Sequence, residues 1–66
     1  MKYIYVLDYA LGHIYEIIMT NEEYEKETET GDLRFYLYQN YHLKEDSIDW
    51  MVSNKKLEIE HIEKLN

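Results

Sequence analysis

The chain has no cysteine and no proline, and only two glycines, Gly12 and Gly31, among its 66 residues. Without cysteine, neither a disulfide nor a thiolate metal site can form. Two isolated glycines cannot build a phosphate-cradling loop or a flexible linker. Basic residues are scarce too: Lys and Arg number 7 against 14 Asp and Glu, a formal charge of -7. Such a field repels bare nucleic acid and attracts basic protein surfaces. Long apolar runs are missing as well. The opening stretch MKYIYVLDYALGH is interrupted by Asp8 and Gly12 and alternates its tyrosines. It has neither the continuous apolar core of a signal peptide nor that of a membrane span. These absences predict a soluble cytoplasmic protein, and a cysteine-free chain suits a reducing compartment.

What is present is aromatic surface: 8 tyrosines, Trp50 and Phe35. Acidic disordered chains are poor in aromatics, so the composition predicts a single folded domain over residues 1–66. A chain this short buries a marginal core, and small domains are often stapled by a metal or a partner subunit.

The first pattern is a β-hairpin in YIYVLDYALGHIYEIIM, residues 3–19. A type I turn through Tyr9, Ala10 and Leu11, with Gly12 at positive φ, gives a three-residue loop with a bulge. That loop pairs Tyr9 with His13, Leu7 with Tyr15, Tyr5 with Ile17 and Tyr3 with Met19. The second face then carries Ile4, Val6, Asp8, Ile14, Glu16 and Ile18. A slip of one residue in the pairing changes which residues share a face. Both faces are largely apolar in either register.

Thr20 and Glu23 have the spacing of a capping box, and Met19 with Tyr24 that of a hydrophobic staple, so a helical turn is expected from Asn21. Residues 26–31 read as a frayed end or loop. Asp32 is a good N-cap for a second helix. There Leu33, Tyr36, Leu37 and Tyr41 form one buried stripe. A single helix from Asn21 to Tyr41, broken near Gly31, is the alternative. SIDWMV alternates, as does LEIEH, and a two-residue loop at Asn54-Lys55 would pair Val52 with Leu57, Trp50 with Ile59 and Ile48 with His61. A helix over residues 56–65 competes, because Ile59, Ile62 and Leu65 step by three. The expected fold is therefore α+β and two-layered: β-hairpin, helix, β-hairpin, with the helix on a four-stranded antiparallel sheet.

No catalytic or cofactor motif emerges, and an enzyme is not expected. His13, His42 and His61 lie on separate elements without ligand spacing, so neither a metal nor another cofactor is expected. Ser47 and Ser53 lack a histidine–carboxylate arrangement. The carboxylate pairs read as a solvated acidic face, since so small a domain has little room for a cleft that perturbs their pKa values. The aromatics resemble a base-stacking set, but the charge has the wrong sign for direct nucleic-acid binding. Half or more of the tyrosines belong in the core as strand formers. The rest suit a protein interface, where tyrosine gives large contact area at low entropy cost. The candidate partner-binding residues are the acids Glu22, Glu23, Glu25, Glu27, Glu29 and Asp32, with Tyr3, Tyr5, Tyr15 and Tyr38. Acids at a helix start also complement the helix dipole, which is their plain explanation. The sharper one is a carboxylate array imitating nucleic-acid phosphates.

The stretch DYALGHIY, residues 8–15, and IDWMVS, residues 48–53, resemble small acidic proteins of phages and mobile elements. That resemblance spans about half the chain and transfers no catalytic residue. It implies an inhibitor of host defence, anti-CRISPR proteins included, acting in the cytoplasm of a bacterial host. The expected function is a non-enzymatic module that occupies a basic, nucleic-acid-binding protein surface. The alternative is a homodimer, structural or sequestering a small ligand, with the aromatic hairpin as its seam.

Overall fold

The computed structural model describes residues 1–64. Strand β1 (Lys2–Asp8) and strand β2 (His13–Met19) form the opening hairpin. Helix α1 (Asn21–Glu27) and helix α2 (Arg34–Tyr41) follow, then a 3-10 turn at Glu45–Ser47 and strand β3 (Ile48–Ser53). The sheet is antiparallel with order β2-β1-β3, so β1 is central. The α+β class is as expected, but the sheet has three strands and carries two helices, not four strands under one helix.

The hairpin register differs from the expected one by one residue. Asp8 lies opposite His13, Val6 opposite Tyr15 and Ile4 opposite Ile17. The loop is therefore four residues, Tyr9 to Gly12. Asp8 sets it: its carbonyl accepts the Gly12 N–H at 2.8 Å and its carboxylate the Leu11 N–H at 3.1 Å. This is turn chemistry by an aspartate, and it closes the loop one position early. Gly12 takes the expected positive φ, 67°.

With this register one sheet face holds the rows Ile17–Ile4–Val52, Tyr15–Val6–Trp50 and His13–Asp8–Ile48. The helices cover that face. Leu33, Leu37 and Leu43 join Ile4, Val6, Met19 and Ile48 in one buried cluster. The opposite face holds Ile18–Tyr3–Ser53, Glu16–Tyr5–Met51 and Ile14–Leu7–Asp49.

Local sequence explains both helices. The Thr20 hydroxyl accepts the Glu23 N–H, and the Glu23 carboxylate accepts the Thr20 N–H, each at 3.0 Å. This reciprocal box ties down two N–H groups that the helix itself leaves unpaired. It also holds the Glu23 carboxyl below its usual pKa, chiefly through the Thr20 backbone bond. A depressed carboxyl contributes stability above its unfolded-state pKa and loses it as pH falls through the folded-state value. Thr20→Ala is expected to cost about 1 kcal/mol in urea unfolding. Glu23→Gln, which has no carboxyl to protonate there, should lose less stability on acidification than the parent.

Helix α2 starts one residue later than expected: Leu33, not Asp32, is its N-cap and makes no side-chain cap bond, while the Asp32 carboxylate accepts the Arg34 N–H at 3.0 Å from outside the helix. The helix ends where His42 turns left-handed, φ 57°, and donates its N–H to the carbonyls of Leu37 and Tyr38. That reversal aims Leu43 back into the core.

Among the described residues the expected fourth strand, over residues 57–61, is absent. Residues 55–64 have no regular structure, so the competing helix is absent there too; Leu65, which completed its pattern, lies outside the described residues. A tight two-residue hairpin needs positive φ at its central positions, and neither Asn54 nor Lys55 adopts it. Lysine is a poor left-handed residue, whereas Asn-Gly would have closed the turn. The chain bends instead, and Lys55 N–H donates to the Ser53 hydroxyl at 3.2 Å. It then crosses the open sheet face. None of the helices among the described residues is long and apolar enough to cross a membrane.

Candidate protein-binding surfaces

The ten candidate residues fall on different surfaces. Glu22, Glu23, Glu25 and Glu27 lie on α1, which buries none of its residues. Glu29 follows in the loop and is exposed. Glu22, Glu25 and Glu29, at helical spacing i, i+3 and i+7, line a shallow depression with Lys26. Among the described residues no lysine or arginine forms an ion pair with Glu22, Glu25, Glu27 or Glu29. Asp32 differs: Arg34 bonds it at 2.9 Å and also reaches Glu45 at 3.0 Å. The Arg34 guanidinium holds the Asp32 carboxyl below its ordinary range, and this acid is already matched.

Tyr36 belongs to the acidic surface, though the sequence placed it only in the buried stripe. It is half-buried, with its hydroxyl 3.5 Å from that of Tyr41 and the rings edge-on at 5.9 Å. The hydrogen bond with Tyr41, then burial, then the nearby charges including Glu27 and Glu23 push its pKa up to about 12. Its three-residue offset from the buried Leu33 put it at the margin of the core, where sequence pattern cannot separate packing from surface. Tyr38 stands on α2 beside Phe35, over Lys44 and Asp46; Phe35 is 70% exposed.

Tyr15 lies on the helix side of the sheet, half-buried against the core and edge-on to His13 at 5.9 Å. Tyr3 and Tyr5 lie on the other side. Tyr5 is buried, donating to the Glu16 carboxylate at 2.7 Å and accepting the Leu57 N–H at 2.8 Å. Burial is the first cause of its raised pKa. Lys56 approaches Glu16 at 3.7 Å. The second apolar face of the hairpin is therefore partly roofed by the chain's own residues 54–57, while Ile14, Ile18 and Met51 stay exposed. Tyr5→Phe removes the acceptor for Leu57. Amide exchange at Leu57 is expected to become fast while exchange in β1 stays slow, since no ladder bond is lost. Slow exchange at Leu57 in the variant would show that the roof is held by something else.

His13, His42 and His61 are not gathered: among the described residues no cluster of three potential metal ligands occurs. No protein-family model, no curated protein and no solved structure matches this chain.

Proposed function

We propose that this chain is a non-enzymatic protein-binding module that sets a row of carboxylates on α1 against a basic, nucleic-acid-binding surface. In the phage or mobile-element setting that its motifs suggest, the target is a host defence nuclease. The observation that carries the reading is the unmatched acidity of α1. Its 7 residues include Glu22, Glu23, Glu25 and Glu27 against one lysine, with Glu29 just beyond. Seven helical residues span roughly 10 Å, so the negative charge is dense. Charge of this kind, beside half-buried phenols such as Tyr36, favours fast and salt-sensitive association with a basic face. Asp32, Tyr5 and Tyr15 support the fold in this reading; the contact set is Glu22, Glu25, Glu27 and Glu29.

The test is binding of the full chain to purified bacterial defence nucleases, with duplex DNA as competitor. Displacement by DNA is expected, with affinity falling steeply as salt rises. The triple variant Glu22→Lys, Glu25→Lys, Glu29→Lys should lose on the order of tenfold or more. Glu23 is left intact there because it holds the helix cap. Binding indifferent to salt, to DNA and to the charge reversals would refute the reading.

A further inference from the structure

The outer edge of β2 is unpaired, because β2 is the first strand in the sheet order. Natural edge strands are usually blunted by proline, lysine, a bulge or a covering element. β2 has the sequence HIYEIIM, with no proline and no lysine, and its pairing to β1 runs unbroken over all seven residues. A groove of about 540 Å³ runs along it, lined by residues 14–18 of the strand and walled by Tyr41 and Leu43. An edge and an apolar groove together make a seat for an extended segment with alternating apolar side chains.

The chain itself contains such a segment without a seat. LEIEH, residues 57–61, alternates as a strand does, yet it has no regular structure and is exposed. Ile59 and Ile62 are each 85% exposed, more than any other large apolar side chain described. The route of the tail leads from β3 toward β2. From β3 it crosses β1 at Tyr5 and reaches β2 at Glu16 through Lys56. Residues 54–64 contain no glycine or proline to turn the chain back along its own strand. The tail thus touches the body last at Tyr5 and Glu16, and the residues that follow are exposed.

We propose that residues 57–62 of one copy seat in the β2 groove of a second copy, and the reverse, so that two chains exchange tails about a two-fold axis. Ile59 and Ile62 are the anchors, and the free backbone groups of β2 supply the strand pairing. Reciprocal exchange satisfies both edges and closes at two copies. The seam lies on the strand edge, apart from the acidic ridge of α1, and stands or falls independently of the function proposed above. Salt separates the two: each copy carries a charge of -7, so screening strengthens this association, whereas it weakens contact with a basic partner.

The experiment is sedimentation equilibrium of the full chain over a wide concentration range at low and high salt. A dimer strengthened by salt is expected. Ile59→Asp with Ile62→Asp, on side chains that contribute nothing to the core, should give a folded monomer. Burial of each isoleucine is worth about tenfold or more in affinity. Ile14→Lys with Ile18→Lys should also be monomeric. Mixing the two variants is the decisive step, because one intact groove and one intact tail then meet, and a heterodimer should reappear. Should the groove variant fail to fold, Glu16→Cys and Glu60→Cys chains, otherwise free of cysteine, should instead cross-link to each other on mixing. A monomer at every concentration overturns the proposal. So does a dimer that survives the tail substitutions, or a mixture that neither re-associates nor cross-links.

Discussion

Leu37→Ala is expected to leave the chain largely unfolded at 25 °C. Leu37 is fully buried at the centre of the cluster formed with Leu33, Leu43, Ile4 and Val6. Truncating a buried leucine to alanine costs about 2–5 kcal/mol, through lost transfer energy and the cavity left behind. A domain of this size rarely holds more than about 3–5 kcal/mol in total. The cost of one side chain is therefore comparable with the whole. No disulfide is available to limit the loss. Leu37→Met, which keeps the volume, should cost less than about 1.5 kcal/mol. Phe35→Ala lies two residues away on the same helix, but its ring is exposed, so a change within about 0.5 kcal/mol is expected. Circular dichroism during urea titration distinguishes the three. A Leu37→Ala protein as resistant to urea as the parent would mean that the stability resides elsewhere, for example in association.

Raising the pH is expected to unfold the protein between about pH 10 and 12. Tyr36 has its pKa raised from 10.0 to about 12. The sign follows from linkage: a phenol that holds its proton more tightly when folded contributes stability that is complete below pH 10. That contribution is lost as pH rises through the folded-state value. Tyr36 is partly open to solvent, so screening reduces the energy below what the shift alone implies. Two further tyrosines act in the same direction. Tyr9 is raised chiefly because its hydroxyl donates to the Asp49 carboxylate, and Tyr5 chiefly because it is buried. Each phenolate also adds negative charge to a chain already at -7, which increases self-repulsion. Phenolate absorbance and far-ultraviolet circular dichroism, followed together, should show a late ionisation that coincides with loss of structure. Tyr36→Phe should remove the latest part of that ionisation. Ionisation of all eight tyrosines in one step, with the fold intact, would contradict the hydrogen-bonded arrangement of Tyr36 and Tyr41.

Alternation and turn residues were sufficient to find β1, β2 and β3, because the two-residue period of a half-buried strand is a local property. The capping box at Thr20 and Glu23 marked the first helix, since a capping bond spans only three residues; the expected cap at Asp32 fell one residue early, because Leu33 is the N-cap of α2. Gly12 at positive φ was legible for the same reason. The hairpin register was not. It turned on two hydrogen bonds that Asp8 accepts, from the Leu11 and Gly12 N–H groups, which shifted the pairing by one residue and put Tyr15 on the face opposite Tyr3 and Tyr5. The candidate site was legible as composition: the acids of α1 are exposed, as their pattern suggested. Its geometry was not, because Tyr3 and Tyr5 went to the opposite face and Tyr15 to the margin of the core.

The fate of residues 54–64 was decided by tertiary structure alone. LEIEH has the period of a strand, but a period does not supply a partner. The Asn54-Lys55 bend did not reach the positive φ values that a tight hairpin requires. The Tyr5 hydroxyl took the Leu57 N–H instead, and the chain crossed the sheet rather than extending it. The sequence by itself thus marked β1, β2, β3 and the start of α1, the sign of the surface charge and the surplus of apolar side chains, but it also marked LEIEH as a strand, which it is not. Tertiary structure decided which hairpin face became core and left both an edge strand and an apolar tail without partners. Register and pairing depend on contacts between residues far apart in the chain, and local pattern does not encode them.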